Sequence, residues 1–118
     1  MDLQIESIPG SREGVRLLQL KGPFTLPGIF EFQSLVRSLN DPVVIVDLTD
    51  VPFMDSAALG AVMYLHASSA RRKHQYALAG ATERLRTMFQ VGGVDDILVT
   101  YPTVGAAEAG LLGKAASS

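Results

Sequence analysis

The chain has 118 residues, a formal net charge of -2, and is 47% hydrophobic and 19% charged. This suffices for one domain of ordinary size with a packed core and argues against disorder as the main state. With no cysteine, disulfide frameworks, thiolate zinc sites and thiol catalysis are excluded, and the charge balance gives no electrostatic reason to expect nucleic acid or an anionic membrane as partner.

The first ten residues, MDLQIESIPG, lack a basic stretch followed by an apolar one, so no signal peptide is readable. Leu3, Ile5 and Ser7 alternate with Gln4, Glu6 and Ile8, which predicts a half-buried strand. P9-G10-S11-R12-E13-G14 reads as a turn and V15-R16-L17-L18-Q19-L20 as a second strand, together a hairpin. K21-G22-P23-F24-T25-L26-P27-G28 is too rich in Gly and Pro for a regular element. A helix starts near Pro27, where proline suits a first turn. Ile29, Phe32, Leu35, Val36 and Leu39 follow at helical spacing until Asn40, Asp41 and Pro42 stop it.

Val43 to Leu48 is nearly continuous β-branched apolar sequence, the pattern of a strand covered on both faces. Ser56 to about Arg72 reads as a helix, with Ala58, Val62 and Leu65 as a narrow stripe and Arg71, Arg72 and Lys73 at its negative end. The longest charge-free window, Ser56 to Ala70, is fifteen residues, too short and too polar to span a bilayer. A cytoplasmic protein without membrane insertion is expected. Its mean hydropathy of +0.24 is high for a soluble chain and leaves room for an apolar contact face.

Tyr76 to Ala79 is a short strand broken by Gly80. Thr82 caps a third helix with Leu85, Met88 and Phe89 on one side, ended by Gly92 and Gly93. Ile97 to Tyr101 is the last strand and Thr103 to Leu112 the last helix. The fold class is α/β: one domain over residues 1–113, with a mixed sheet, an N-terminal β-hairpin and about four helices, then a flexible tail, 114–118.

One short stretch carries chemistry. FMDSAALG, residues 53–60, sits where the buried strand hands over to a helix. Ser56 is the expected N-cap. No acid follows it in the first turn, Ala57 and Ala58 leave its hydroxyl accessible, and open α/β sheets carry functional loops at this end of a strand. A phosphate there adds about -1.5 to -2 charge and meets unpaired amides at the positive end of the helix dipole, a gain of about 0.3–1 kcal/mol. The plain alternative is a serine that merely caps.

Two catalytic readings fail on the same residues. A serine hydrolase needs a base beside the hydroxyl, but His66 lies ten residues along the helix, about 15 Å away by helical rise. A phospho-aspartate receiver is suggested by Asp47, Asp50 and Asp55, yet the first strand ends in no acid pair and the lysines (Lys21, Lys73, Lys114) are poorly placed. Two separated histidines form no metal-ligand set.

FMDSAALG resembles the phosphorylation loop of the STAS family, the bacterial anti-sigma-factor antagonists. There a strand is followed by an apolar-x-D-S-x-G-L-G segment opening a helix, and Asp55, Ser56, Leu59 and Gly60 match it. V43-V44-I45-V46-D47-L48 resembles that family's central strand, A79-G80-A81-T82-E83-R84-L85-R86-T87-M88-F89 its third helix, and V91-G92-G93-V94-D95-D96-I97 the turn that follows. Two positions depart from the pattern. Ala58 replaces the glycine before the leucine, and G22-P23-F24-T25 replaces a Gly-x-Leu-Asp turn.

The resemblance implies a protein that is not an enzyme and holds no cofactor or metal of its own. It implies binding to an anti-sigma factor with serine kinase activity, release of the sigma factor for transcription, dissociation on phosphorylation of Ser56, and resetting by a phosphatase. The nucleotide and magnesium belong to the kinase. The contact face implied is Asp55, Ser56, Ala57, Ala58 and Leu59, with Met88 and Phe89, for which core packing is an equal reading. A homo-oligomer is left open. The alternative is a STAS scaffold in a signalling or lipid-transport complex that binds without being phosphorylated.

Overall fold

The computed structural model describes residues 2–116, and side chains from residue 2 to residue 113. Its element order is β1 (Gln4–Pro9), β2 (Val15–Lys21), a 3-10 turn (Leu26–Gly28), α1 (Ile29–Ser38), β3 (Val43–Asp50), α2 (Ser56–Arg72), β4 (Gln75–Ala79), α3 (Glu83–Val91), β5 (Thr100–Tyr101) and α4 (Val104–Ala116). The five strands form one mixed sheet in the order β1-β2-β3-β4-β5. β1 pairs antiparallel with β2, which is the expected hairpin, and β2 to β5 pair in parallel.

β3 lies at the centre because its sequence is apolar on both faces. Val44, Val46 and Leu48 pack under α1, α2 and α3 with Phe32, Val36, Val62, Leu65, Leu85 and Phe89. Val43 and Ile45 turn the other way, where Ala107 and Leu111 of α4 cover them together with Val15, Leu17, Ala77 and Ala79. β1 is an edge strand with Ile5 and Ile8 half-buried against opposite faces of the sheet.

Loop chemistry fixes the helix ends. Thr82 Oγ1 accepts from the Leu85 N–H at 3.3 Å and caps α3, as expected. Lys73 ends α2 in the left-handed region, φ 59°. The cation beyond the α2 stripe serves a neighbour: Arg72 donates to the carbonyls of Leu39 (2.8 Å) and Arg37 (3.1 Å). It thereby satisfies the C-terminal carbonyls of α1.

Two elements differ from expectation. The last strand is Thr100–Tyr101, not Ile97–Tyr101. Its ladder partners are Leu78 and Ala79 at the end of β4. Ile97 instead donates its N–H to the Val94 carbonyl at 3.0 Å, within the turn that follows α3. The last helix runs to Ala116, four residues beyond its expected end at Leu112. Of the expected tail 114–118, Ser117 and Ser118 and all five side chains lie outside the described residues.

Candidate functional site

The candidate site forms where two loops meet at the C-terminal end of the parallel strands. The loop after β2 is joined to the loop after β3 by backbone hydrogen bonds. Gly22 N–H donates to the Asp50 carbonyl (3.1 Å), Phe24 N–H to the Phe53 carbonyl (3.1 Å), and Asp55 N–H to the Phe24 carbonyl (3.2 Å). Phe24 and Met54 thereby form an isolated parallel bridge. Gly22, at φ 100°, makes the reversal that lets the first loop turn back. Phe24 is buried, with its ring 5.0 Å from that of Phe32, so the loop pair is pinned to the core of the three-helix face.

At this junction the capping residue differs from expectation. Asp55, not Ser56, is the N-cap of α2: its Oδ1 accepts from the Ala58 N–H at 2.9 Å. Its Oδ2 accepts from the Leu26 N–H at 3.0 Å, across the two loops. Ser56 is the first helical residue, exposed, with a hydroxyl not consumed by capping. Among the described residues the amides of Ser56 and Ala57 have no hydrogen-bond partner. An exposed hydroxyl beside free amides at the positive end of a 17-residue helix is a favourable place for a covalent anion.

The other residues expected at a contact face divide sharply. Asp55, Ala57 and Leu59 are half-buried beside Ser56. Ala58 is 0% exposed and its methyl group faces the core, so it offers no surface to a partner. Phe89 is 1% exposed and is likewise a core residue. Met88 is half-buried and packs against that core. The expected participation of Ala58 and Phe89 in contact is therefore corrected: both faces of their helices that carry these side chains are turned inward.

Surface residues not anticipated from the pattern take their place. Phe30 is 80% exposed, Leu26 62% and Phe53 38%. The last two flank the Asp55 loop directly, and the Arg84 guanidinium stands 5.5 Å from the centroid of the Phe53 ring. The sequence did contain a signal for Phe30. It falls outside the Ile29, Phe32, Val36 stripe that α1 buries, so a helical wheel puts it on the outer face.

Two of the three carboxylates invoked for receiver chemistry are otherwise engaged, and the third, Asp50, is exposed at the end of β3. Asp47 Oδ1 accepts from Thr49 N–H (3.0 Å) and Thr49 Oγ1 (2.6 Å), and Asp55 holds two amides. His66, the nearest histidine in sequence to Ser56, has its Nδ1 2.8 Å from the Tyr76 phenol oxygen.

A family model, STAS domain, matches residues 10–107. The anti-sigma-B factor antagonist of Listeria monocytogenes is 31% identical over 75 residues, 64% of this chain and 66% of that protein, so the chain spans just under two thirds of that relative. Among solved structures, the anti-sigma factor antagonist SpoIIAA in its unphosphorylated form superposes with TM-score 0.75 at 16% identity, covering 95% of this chain and 97% of that one. The Bacillus cell fate determinant SpoIIAA in its phosphorylated form gives TM-score 0.68 at 15% identity over 91% and 97%. A sulfate transporter family protein from Wolinella succinogenes gives TM-score 0.75 at 20% identity over 87% and 90%.

Proposed function

Because the chain belongs to the STAS-domain family, we propose that it is an anti-sigma-factor antagonist that binds an anti-sigma factor with serine kinase activity and is released when Ser56 is phosphorylated. The observation that carries this reading is the exposed Ser56 at the first turn of α2, next to free amides, in the setting of Asp55, Leu59 and Gly60. The naming of the Listeria relative as an anti-sigma-B factor antagonist supports the partner class.

In the transfer, Ser56 Oγ attacks the γ-phosphorus of ATP held by the kinase. The O–P bond forms as the bond to ADP breaks, and the hydroxyl proton passes to a base of the kinase. This chain supplies the nucleophile and nothing else. The product dianion costs the fold little, since the start of α2 receives it. A docked partner must instead desolvate it against Leu26 and Phe53, two apolar neighbours. A group tolerated by the fold and resisted by the interface is a switch. Hydrolysis by a phosphatase returns the chain to its binding form, and the cytoplasm is where such a cycle operates.

The test is incubation with ATP and the cognate anti-sigma kinase, with phosphate mapped by mass spectrometry. Phosphate on Ser56, its loss in Ser56→Ala, and loss of kinase binding in Ser56→Asp are expected. A second reading, a scaffold that is not switched, is favoured by the absence of any acid in Gly22-Pro23-Phe24-Thr25 beside the serine. Binding that is indifferent to Ser56→Asp would select it.

A further inference from the structure

Asp55 is bonded in two directions. One oxygen closes the first turn of α2 through Ala58 N–H, and the other reaches Leu26 N–H, 29 residues away in sequence. Leu26 opens the 3-10 turn Leu26–Gly28 and is 62% exposed beside Ser56. Among the described residues, no other hydrogen bond ties that turn to α2. Gly28 N–H closes on Thr25 within the turn itself, while Phe24, two residues before Leu26, is held separately by its bridge to Met54. Phe24 and Ile29 anchor the turn on either side, and the Asp55 carboxylate oxygen is its one direct hydrogen bond to the start of α2 among the described residues.

We infer that Asp55 is a positioning residue that reports the state of Ser56: a phosphate on Ser56 displaces the Asp55 carboxylate and frees the Leu26–Gly28 turn. This rests on the reading that Ser56 carries the phosphate. The two groups sit on consecutive residues, and the one first-turn amide that Asp55 holds, Ala58 N–H, adjoins the free amides of Ser56 and Ala57. The phosphate has three acceptor oxygens and the larger charge, so it gathers the amides of Ser56, Ala57 and Ala58. The carboxylate loses Ala58 N–H to a stronger acceptor and is repelled by it. Its bond to Leu26 N–H then has no second anchor. A docked partner feels the phosphate twice, through its desolvation and through the loss of a fixed Leu26.

A competing outcome is built into the same surface. Arg84 stands over the ring of Phe53, three residues before Ser56, and is a cation beside the same loop. If it neutralises the phosphate, Asp55 keeps both bonds and Leu26 stays in place.

The experiment measures amide hydrogen exchange of Leu26 by NMR in the wild-type chain, in the chain with phosphoserine installed at position 56 during translation, in Asp55→Asn, and in Asp55→Asn with phosphoserine 56. The inference expects Leu26 exchange to rise at least roughly tenfold with phosphoserine, the factor that loss of a hydrogen bond to a charged acceptor supplies. It expects a similar rise in Asp55→Asn, and no further rise when the two are combined. Central-strand amides such as Val46 and Leu78 should be unchanged in all four, which separates this effect from general loosening. Leu26 protection that survives phosphoserine, or rises that multiply in the combined protein, would overturn it. Since the phosphate is installed without a kinase, this result stands apart from whether any kinase modifies Ser56.

Discussion

Tyr76 shows what one buried hydroxyl does for this fold. Its oxygen accepts from Val99 N–H at 3.1 Å, ties the start of β4 to the approach to β5, and meets His66 Nδ1 at 2.8 Å with the two rings edge to face. Burial pushes its pKa above the ordinary 10.0, opposed in part by the Val99 hydrogen bond. The neutral phenol is thus favoured in the folded state. Its contribution is complete below the unfolded value and is lost as pH rises through that value toward the folded one. Urea unfolding at pH 9 and pH 11 should give a lower midpoint at pH 11, and Tyr76→Phe should remove part of that difference. At pH 7 the same substitution should cost about 1 kcal/mol, because it leaves a half-buried Val99 amide without its acceptor. Equal pH dependence in both proteins would contradict this.

At the scale of elements, the start of α2 separates stability from modification. Ala58 occupies the position where the family pattern has glycine, and its methyl is buried in the core of the three-helix face. Ala58→Gly should lower stability by about 1 kcal/mol, the helix cost of glycine, read from a denaturant midpoint. It should leave the rate of Ser56 phosphorylation unchanged; a faster rate would mean that the methyl group obstructs the kinase. Which parts of this were legible in the sequence follows from where the deciding interactions lie. β3 and the caps at Thr82 and Gly92 are local patterns, and they read correctly. Asp55 and Ser56 are both good caps in isolation, and the choice between them is made by Leu26 and Phe24, on a different loop. I97-L98-V99 looks like a strand because it is apolar, but Leu98 is buried and Ile97 is 45% exposed in the turn after α3, and the approach to the ladder begins at Val99, whose carbonyl accepts from Leu78 N–H. Phe89 lies on the stripe of an amphipathic helix, and that stripe is core.

For the molecule as a whole, β3 couples two apolar layers, because adjacent residues face opposite ways: Ile45 belongs to the α4 side and Val46 to the three-helix side. Truncating one layer should therefore be felt by both. Ile45→Ala should cost about 2–5 kcal/mol and shift helix circular dichroism and tyrosine fluorescence to the same lower midpoint in a single transition. Two separated transitions would mean that the layers melt independently. The strand order has a consequence of its own. From β2 to β5 the chain advances across the sheet in one direction, and α1, α2 and α3 all lie on the same side. Doubly wound sheets seat their metabolites in the crevice that opens where the winding reverses. This parallel run never reverses, so it lacks a switch point of that kind. Ser56 thus stands on an open strand-to-helix loop flanked by the exposed Leu26 and Phe53, not in a switch-point crevice.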